Sequence, residues 1–101
     1  MKTYRLGPKA ISDLAEIFDY TVDTWGERQA ENYIEELERC FHLLADSPGL
    51  GRPCDLIFPG IRRLEQGRHV IVYKRDRNGI LISRILHQDR LPTQPHFMDA
   101  E

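Results

Sequence analysis

Apolar positions recur every three or four residues through two successive stretches and then every second residue further on, a pattern that predicts two helices followed by strands. The first stripe is Ile11, Leu14, Ala15, Phe18, Val22 and Trp25; the second is Ala30, Tyr33, Ile34, Leu37, Phe41, Leu44 and Ala45. Gly7-Pro8 starts the first helix, because proline at the first helical position gives up an N–H that has no partner there anyway. Gly26 stops it. The second helix begins near Glu27, whose carboxylate suits the positive end of the helix dipole, and ends at Asp46-Ser47-Pro48-Gly49. So short a connection makes the pair an antiparallel hairpin.

Residues 3–6 read as a short strand ahead of the helices, and 61–65, 68–75 and 79–87 as three strands after them. Between helices and strands, 47–60 is rich in Pro and Gly and reads as a loop. Asn78-Gly79 marks a hairpin turn, since both residues tolerate positive φ. The fold class is therefore α+β in the order β-α-α-β-β-β, with the helix hairpin on one face of a small, mainly antiparallel sheet. A chain of 101 residues is enough for one such domain, spanning 1–101, with 91–101 as an irregular tail.

Alternation along the last two strands puts Val70 and Val72 on one face and Ile71 and Tyr73 on the other. It likewise sets Ile80, Ile82 and Leu86 against Leu81 and Ile85. Both faces of the sheet are thus apolar, and two helices cover only one. The second face needs another cover: the tail at 91–97, a second copy of the chain, or a partner.

Composition adds that the chain is an ordinary globular one, 41% hydrophobic and 30% charged, with no apolar run long enough to cross a bilayer. The N-terminus lacks the apolar core of a secretory signal, so a cytoplasmic location is expected. Cys40 and Cys54 form no CxxC motif and are expected as free thiols. The formal net charge of −2 hides an uneven distribution. Residues 1–50 carry five basic against ten acidic side chains, a balance of −5, whereas 61–90 carry eight against three, a balance of +5. A molecule with two electrical sides follows.

Candidate chemistry concentrates on the basic half. No nucleotide-binding glycine pattern or nucleophile elbow is present, and His42, His69, His87 and His96 lie at no metal-ligand spacing, so neither cofactor nor metal is expected. Arg62, Arg63, Arg68, Arg84 and Arg90 fall on or beside the strands, where guanidinium groups suit two-point contacts with phosphates or carboxylates. His87 lies among them, and histidine is the side-chain type suited to proton transfer near neutrality. Phosphodiester cleavage would cast His87 and Glu65 as base and acid, with Arg63 and Arg84 on the phosphate. Whether the arginines touch nucleic acid directly is left open by the residues alone.

The chain resembles a known family along most of residues 3–90. Tyr4-Arg5-Leu6, Pro8, Ala10, Asp13-Leu14, Ile17, Tyr20-Thr21, Trp25-Gly26, Gln29-Ala30 and Tyr33 are similar to the opening of ParE toxins. Gly51-Arg52, Cys54-Asp55, Pro59-Gly60-Ile61-Arg62, Gly67-Arg68-His69, Tyr73 and Arg84-Ile85-Leu86-His87-Gln88 are similar to the remainder. The resemblance implies a type II toxin of the RelE/ParE superfamily, wrapped by a ParD-like antitoxin and acting on DNA gyrase without catalysis. The alternative branch cleaves mRNA on the ribosome and typically carries a tyrosine near the chain end. Here His87 is followed by Gln88, and no aromatic comes before Phe97, which favours the gyrase branch. The tail also departs from the ParE pattern, reading Asp89-Arg90-Leu91-Pro92. On this resemblance Arg62, Arg63, Arg68, Tyr73 and Arg84 are expected at the antitoxin interface, and Arg84, His87 and Arg90 at the target, with no small-molecule substrate and no membrane.

Overall fold

The computed structural model describes residues 3–55 and 58–90. Strand β1 (Thr3–Leu6) leads into α1 (Pro8–Trp25) and α2 (Glu27–Asp46); a 3-10 turn (Pro48–Leu50) follows, then β2 (Arg52–Pro53), β3 (Arg62–Gln66), β4 (His69–Asp76), β5 (Gly79–His87) and a closing 3-10 turn (Gln88–Arg90). One sheet contains every strand in the order β1-β5-β4-β3-β2, antiparallel except for the β1–β5 pair. The expected order of elements is therefore observed, with one addition. The two-residue β2 lies inside the expected loop, paired with Arg62 and Arg63, and is too short to show a period.

Gly26 separates the helices at a φ of 95° that favours glycine; its N–H closes α1 on the Val22 carbonyl and its carbonyl accepts the first bond of α2 from Ala30. The α2 stripe is as expected, with Ala30, Leu37, Phe41, Leu44 and Ala45 buried. The α1 stripe is not. Its buried residues are Ala10, Asp13, Ile17 and Thr21, whereas Ile11 and Trp25 are 56% and 67% exposed. A count of apolar residues missed this rotation because two of the inward positions are polar. Asp13 is paired with Arg84, and the Thr21 hydroxyl donates to the Ile17 carbonyl at 2.6 Å.

Between the helices and the sheet lies the main core, which includes Ile17, Leu37, Phe41, Leu44, Ile71, Tyr73, Ile80, Ile82 and Ile85. A smaller cluster of Ile61, Val70 and Val72, with Cys54 and Leu86 against it, occupies the other face. Ile85 and Leu86 have thus exchanged the faces expected of them. The cause is a bulge: Val72 stands opposite Arg84 but Tyr73 opposite Ile82, leaving Ser83 extra, and one extra residue inverts the alternation beyond it. The Ser83 hydroxyl donates to the Val72 carbonyl at 3.2 Å. The second face was expected to need a cover beyond the helices, and Val70 and Val72 on it are 2% and 1% exposed. The tail proposed as its cover lies outside the described residues.

The β4–β5 hairpin is also closed differently from the expectation. Asp76 faces Gly79 across a turn of Arg77 and Asn78, and the Asp76 carboxylate accepts the Asn78 N–H at 3.0 Å. Gly79 is instead the first residue of β5, where Thr3 of β1 approaches its backbone.

Candidate functional site

Tyr73, expected on an interface, is fully buried in the core. Its hydroxyl donates to the Pro48 carbonyl at 2.7 Å and accepts the Gly51 N–H at 2.8 Å, fastening the segment after α2 to the sheet. It offers a partner no surface in this structure. Burial holds its pKa above the ordinary tyrosine value, against the opposing effects of the Gly51 N–H and the Arg62 and Arg75 charges. Tyr73→Phe is expected to lose about 1–2 kcal/mol in urea unfolding, since it leaves the Gly51 N–H without its partner.

Three separate groups contain the other candidates. On the Val70/Val72 face, Arg52 donates to Glu65 at 2.7 Å, and the Arg63 Nε stands 3.3 Å from the same carboxylate without making a hydrogen bond. On the helix side, the Arg62 Nε–H donates to the Pro48 carbonyl at 3.3 Å. Arg68 is exposed in the β3–β4 turn, and its carbonyl accepts the Gln88 N–H.

The third group lines a cleft of about 650 Å³ between α1 and the end of β5, bounded by Asp13, Glu16, Asp19, Tyr20, His69, Arg84 and His87 among others. β1 stops pairing with β5 at Leu6–Ile82, so the edge of β5 beyond that point needs another partner. Asp13 supplies it. One carboxylate oxygen accepts the Ile85 N–H at 2.9 Å and the Arg84 Nε–H at 2.8 Å, and the other accepts from the Arg84 Nη2 at 3.0 Å. This two-point pair raises the Arg84 pKa above its ordinary value, chiefly through the bond to Asp13. Arg84 thereby locks α1 to the sheet, leaving its side chain 30% exposed.

At the same end of the sheet His69 and His87 face each other across β4 and β5, edge to face with ring centres 5.5 Å apart. The Tyr33 hydroxyl lies 2.6 Å from His69 Nδ1 and 3.1 Å from the Gln66 carbonyl oxygen. When the Tyr33 hydrogen lies on the Gln66 carbonyl, Nδ1 carries a hydrogen and donates to Tyr33; in the other tautomer Tyr33 donates to Nδ1. His87 Nδ1 accepts the Asp89 N–H at 3.1 Å. Burial first, and then the neighbouring His87, push the His69 pKa below the usual histidine value.

A histidine whose folded pKa is depressed takes up its proton more readily in the unfolded chain. Stability therefore falls as pH drops through the unfolded value of about 6.5 toward the lower folded one. Urea midpoints measured between pH 7.5 and 5.5 should decline, and His69→Gln should flatten that part of the slope.

The residues cast for phosphodiester cleavage do not come together. Register across β3, β4 and β5 puts Arg63 and Glu65 on the face of Val70 and Val72, and His87 with His69 on the helix side. Arg84 is committed to Asp13. Among the described residues no group of His, Cys, Asp and Glu is arranged to hold a metal ion. No described helix is long and apolar enough to cross a membrane. Cys40 and Cys54 are free thiols. The Arg90 side chain and everything after it lie outside the described residues.

Comparison with known proteins agrees with this architecture. The family model "ParE toxin of type II toxin-antitoxin system, parDE" matches residues 4–92. Toxin ParE1 of Mycobacterium tuberculosis is 43% identical over 86 residues, covering 84% of this chain and 88% of that protein. Toxin ParE1 of Caulobacter vibrioides is 39% identical over 90 residues, covering 87% and 91%. Among solved structures, a chain of the chromosomal ParDE system from P. aeruginosa superposes with a TM-score of 0.73 at 26% identity, covering 86% of this chain and 96% of that one. The chain belongs to the ParE toxins of type II toxin-antitoxin systems.

Proposed function

We propose that this toxin acts in the cytoplasm by binding DNA gyrase and blocking replication, without catalysis of its own, and that a ParD-like antitoxin neutralises it. The observation that carries the non-catalytic part is the commitment of Arg84 to Asp13, together with the separation of Arg63 and Glu65 from His87 on opposite faces of the sheet. A nuclease needs its base, acid and phosphate-binding cations around one reacting bond. The gyrase target and the antitoxin are supported by membership of the family, as its resemblance implied.

In this reading Arg62, Arg63 and Arg68 serve the antitoxin interface. Arg84, expected at both interfaces, acts mainly by holding α1 against β5. It reaches a partner only through its exposed part, beside His87, and Arg90 joins them at the target. Purified gyrase should lose supercoiling activity and accumulate trapped cleavage complexes at micromolar toxin. Unaffected gyrase, with transcripts cut in a ribosome-containing extract, would replace this reading by the RelE-like one.

A further inference from the structure

On the helix side of the sheet, at the end away from the histidines, the 3-10 turn Pro48–Leu50 passes over β3 and β4. At the same end of the sheet is a cleft of about 430 Å³, to which Arg62 and Arg75 of the helix side, Ile61 and Lys74 of the opposite face, and Pro53 and Asp55 contribute. The Nη2 atoms of Arg75 and Arg62 come within 3.8 and 4.0 Å of the point where a Cβ on Gly49 would stand. The Pro48 carbonyl, also held by Tyr73, fixes the Arg62 Nε and so the orientation of its guanidinium.

None of the three cations has a carboxylate within 4.0 Å among the described residues. Asp55 also lines the cleft, but one of its oxygens is occupied by the Gly60 N–H at 3.0 Å. Arg5, Arg52, Arg63 and Arg84, by contrast, each have an acidic neighbour, and what sets Arg62 and Arg75 apart from the other arginines without one is their convergence beside Gly49. Two guanidinium groups gathered at one point repel each other and gain from an anion set between them.

We propose that this cleft binds an acidic peptide segment, with its carboxylates on the convergent guanidiniums of Arg62 and Arg75. A peptide fits better than a nucleic acid because the lining described contains no aromatic ring on which a base would stack. That the segment comes from the neutralising partner rests on the function proposed above; the chemistry of the cleft does not.

Gly49 allows the cleft to be blocked without removing a cation. Its φ is not positive, and an added Cβ would meet only ordinary contacts, so Gly49→Glu is sterically allowed and places a carboxylate between the two guanidiniums. Gly49→Gln is the neutral control of equal size. The probe is a labelled Gly-Glu-Leu-Glu-Glu-Leu-Glu-Gly peptide, titrated against the purified full chain beside its all-Gln counterpart and a ten-nucleotide thymidine oligonucleotide.

The acidic peptide should bind wild type and Gly49→Gln alike, about tenfold or more weaker to Gly49→Glu and to Arg75→Glu. Absence of binding to wild type, equal binding of the all-Gln peptide, unchanged binding to Gly49→Glu, or tighter binding of the oligonucleotide would each overturn the proposal. A second arm tests the source in cells. Gly49→Glu should still arrest growth but escape relief by a co-induced ParD-like antitoxin that relieves wild type, whereas relief equal to wild type would show that the segment is not the antitoxin's. If wild type arrests no growth, the proposed function fails and the peptide titration still reports on the cleft.

Discussion

Replacing Asp13 by alanine is expected to lower the unfolding free energy by about 3 kcal/mol, a large part of what a domain of this size has to spare. The substitution removes few apolar contacts. What it removes is the acceptor for three hydrogen bonds, two from Arg84 and one from the Ile85 N–H, at a position only 7% exposed. The guanidinium would be left facing α1 without its counterion, and the β5 edge would carry an unpaired N–H. Because the Arg84 side chain is 30% exposed, solvent recovers part of the cost, which places the expectation at the lower end for a broken buried pair. Urea unfolding of Asp13→Ala, Arg84→Met and the double variant measures it. The double variant should be less destabilised than the sum of the singles, since it leaves neither charge stranded.

Gly79→Ala is expected to cost a similar amount, about 3 kcal/mol, by a different route. A Cβ at residue 79 would collide with the Thr3 carbonyl oxygen and press on the Thr3 backbone nitrogen, and the φ of 154° is one that other residues rarely adopt. Relief requires β1 to move away from β5. That movement would undo the parallel pairing from Thr3 to Leu6 and pull Tyr4 off Phe41 and His42, whose rings lie 5.3 and 5.1 Å from it. Amide exchange should therefore accelerate first in β1, while Leu37 and Leu44 in α2 stay protected.

These two positions also mark where the sequence stops being legible. Helix bounds were readable because Pro8 and Gly26 act on their own backbone, and the strands because β3, β4 and β5 alternate over five residues or more. Gly79 was visible as a turn signal, but its purpose depends on Thr3, which lies far away in the chain. Asp13 was recognisable as part of the family resemblance; its bond to Arg84 spans 71 residues and has no local signature. The Ser83 bulge hid for a related reason, since an extra residue in β5 is defined only by its pairing with Val72. Among the candidates, the arginine cluster was readable as a cluster. Its division among three places, and the joining of Arg62 to Lys74 and Arg75 in one cleft, required the register of the sheet and the path of the 3-10 turn.

Asp13 and Arg84 also bear on activity through one structural consequence. They close the edge of β5 against α1, so the acidic cleft with His69 and His87 keeps a fixed shape. A variant that loosens this pair should lose stability and target binding together, whereas a variant in the Arg62–Arg75 cleft should leave stability unchanged. Comparison of the two separates the residues that build the toxin from those that meet its partners.

The most direct test of the toxin assignment is growth after induction of this chain alone and together with a ParD-like antitoxin. Arrest with the chain alone and recovery on co-induction are the expected results. Undisturbed growth, with the chain folded and present at the same level, would contradict it.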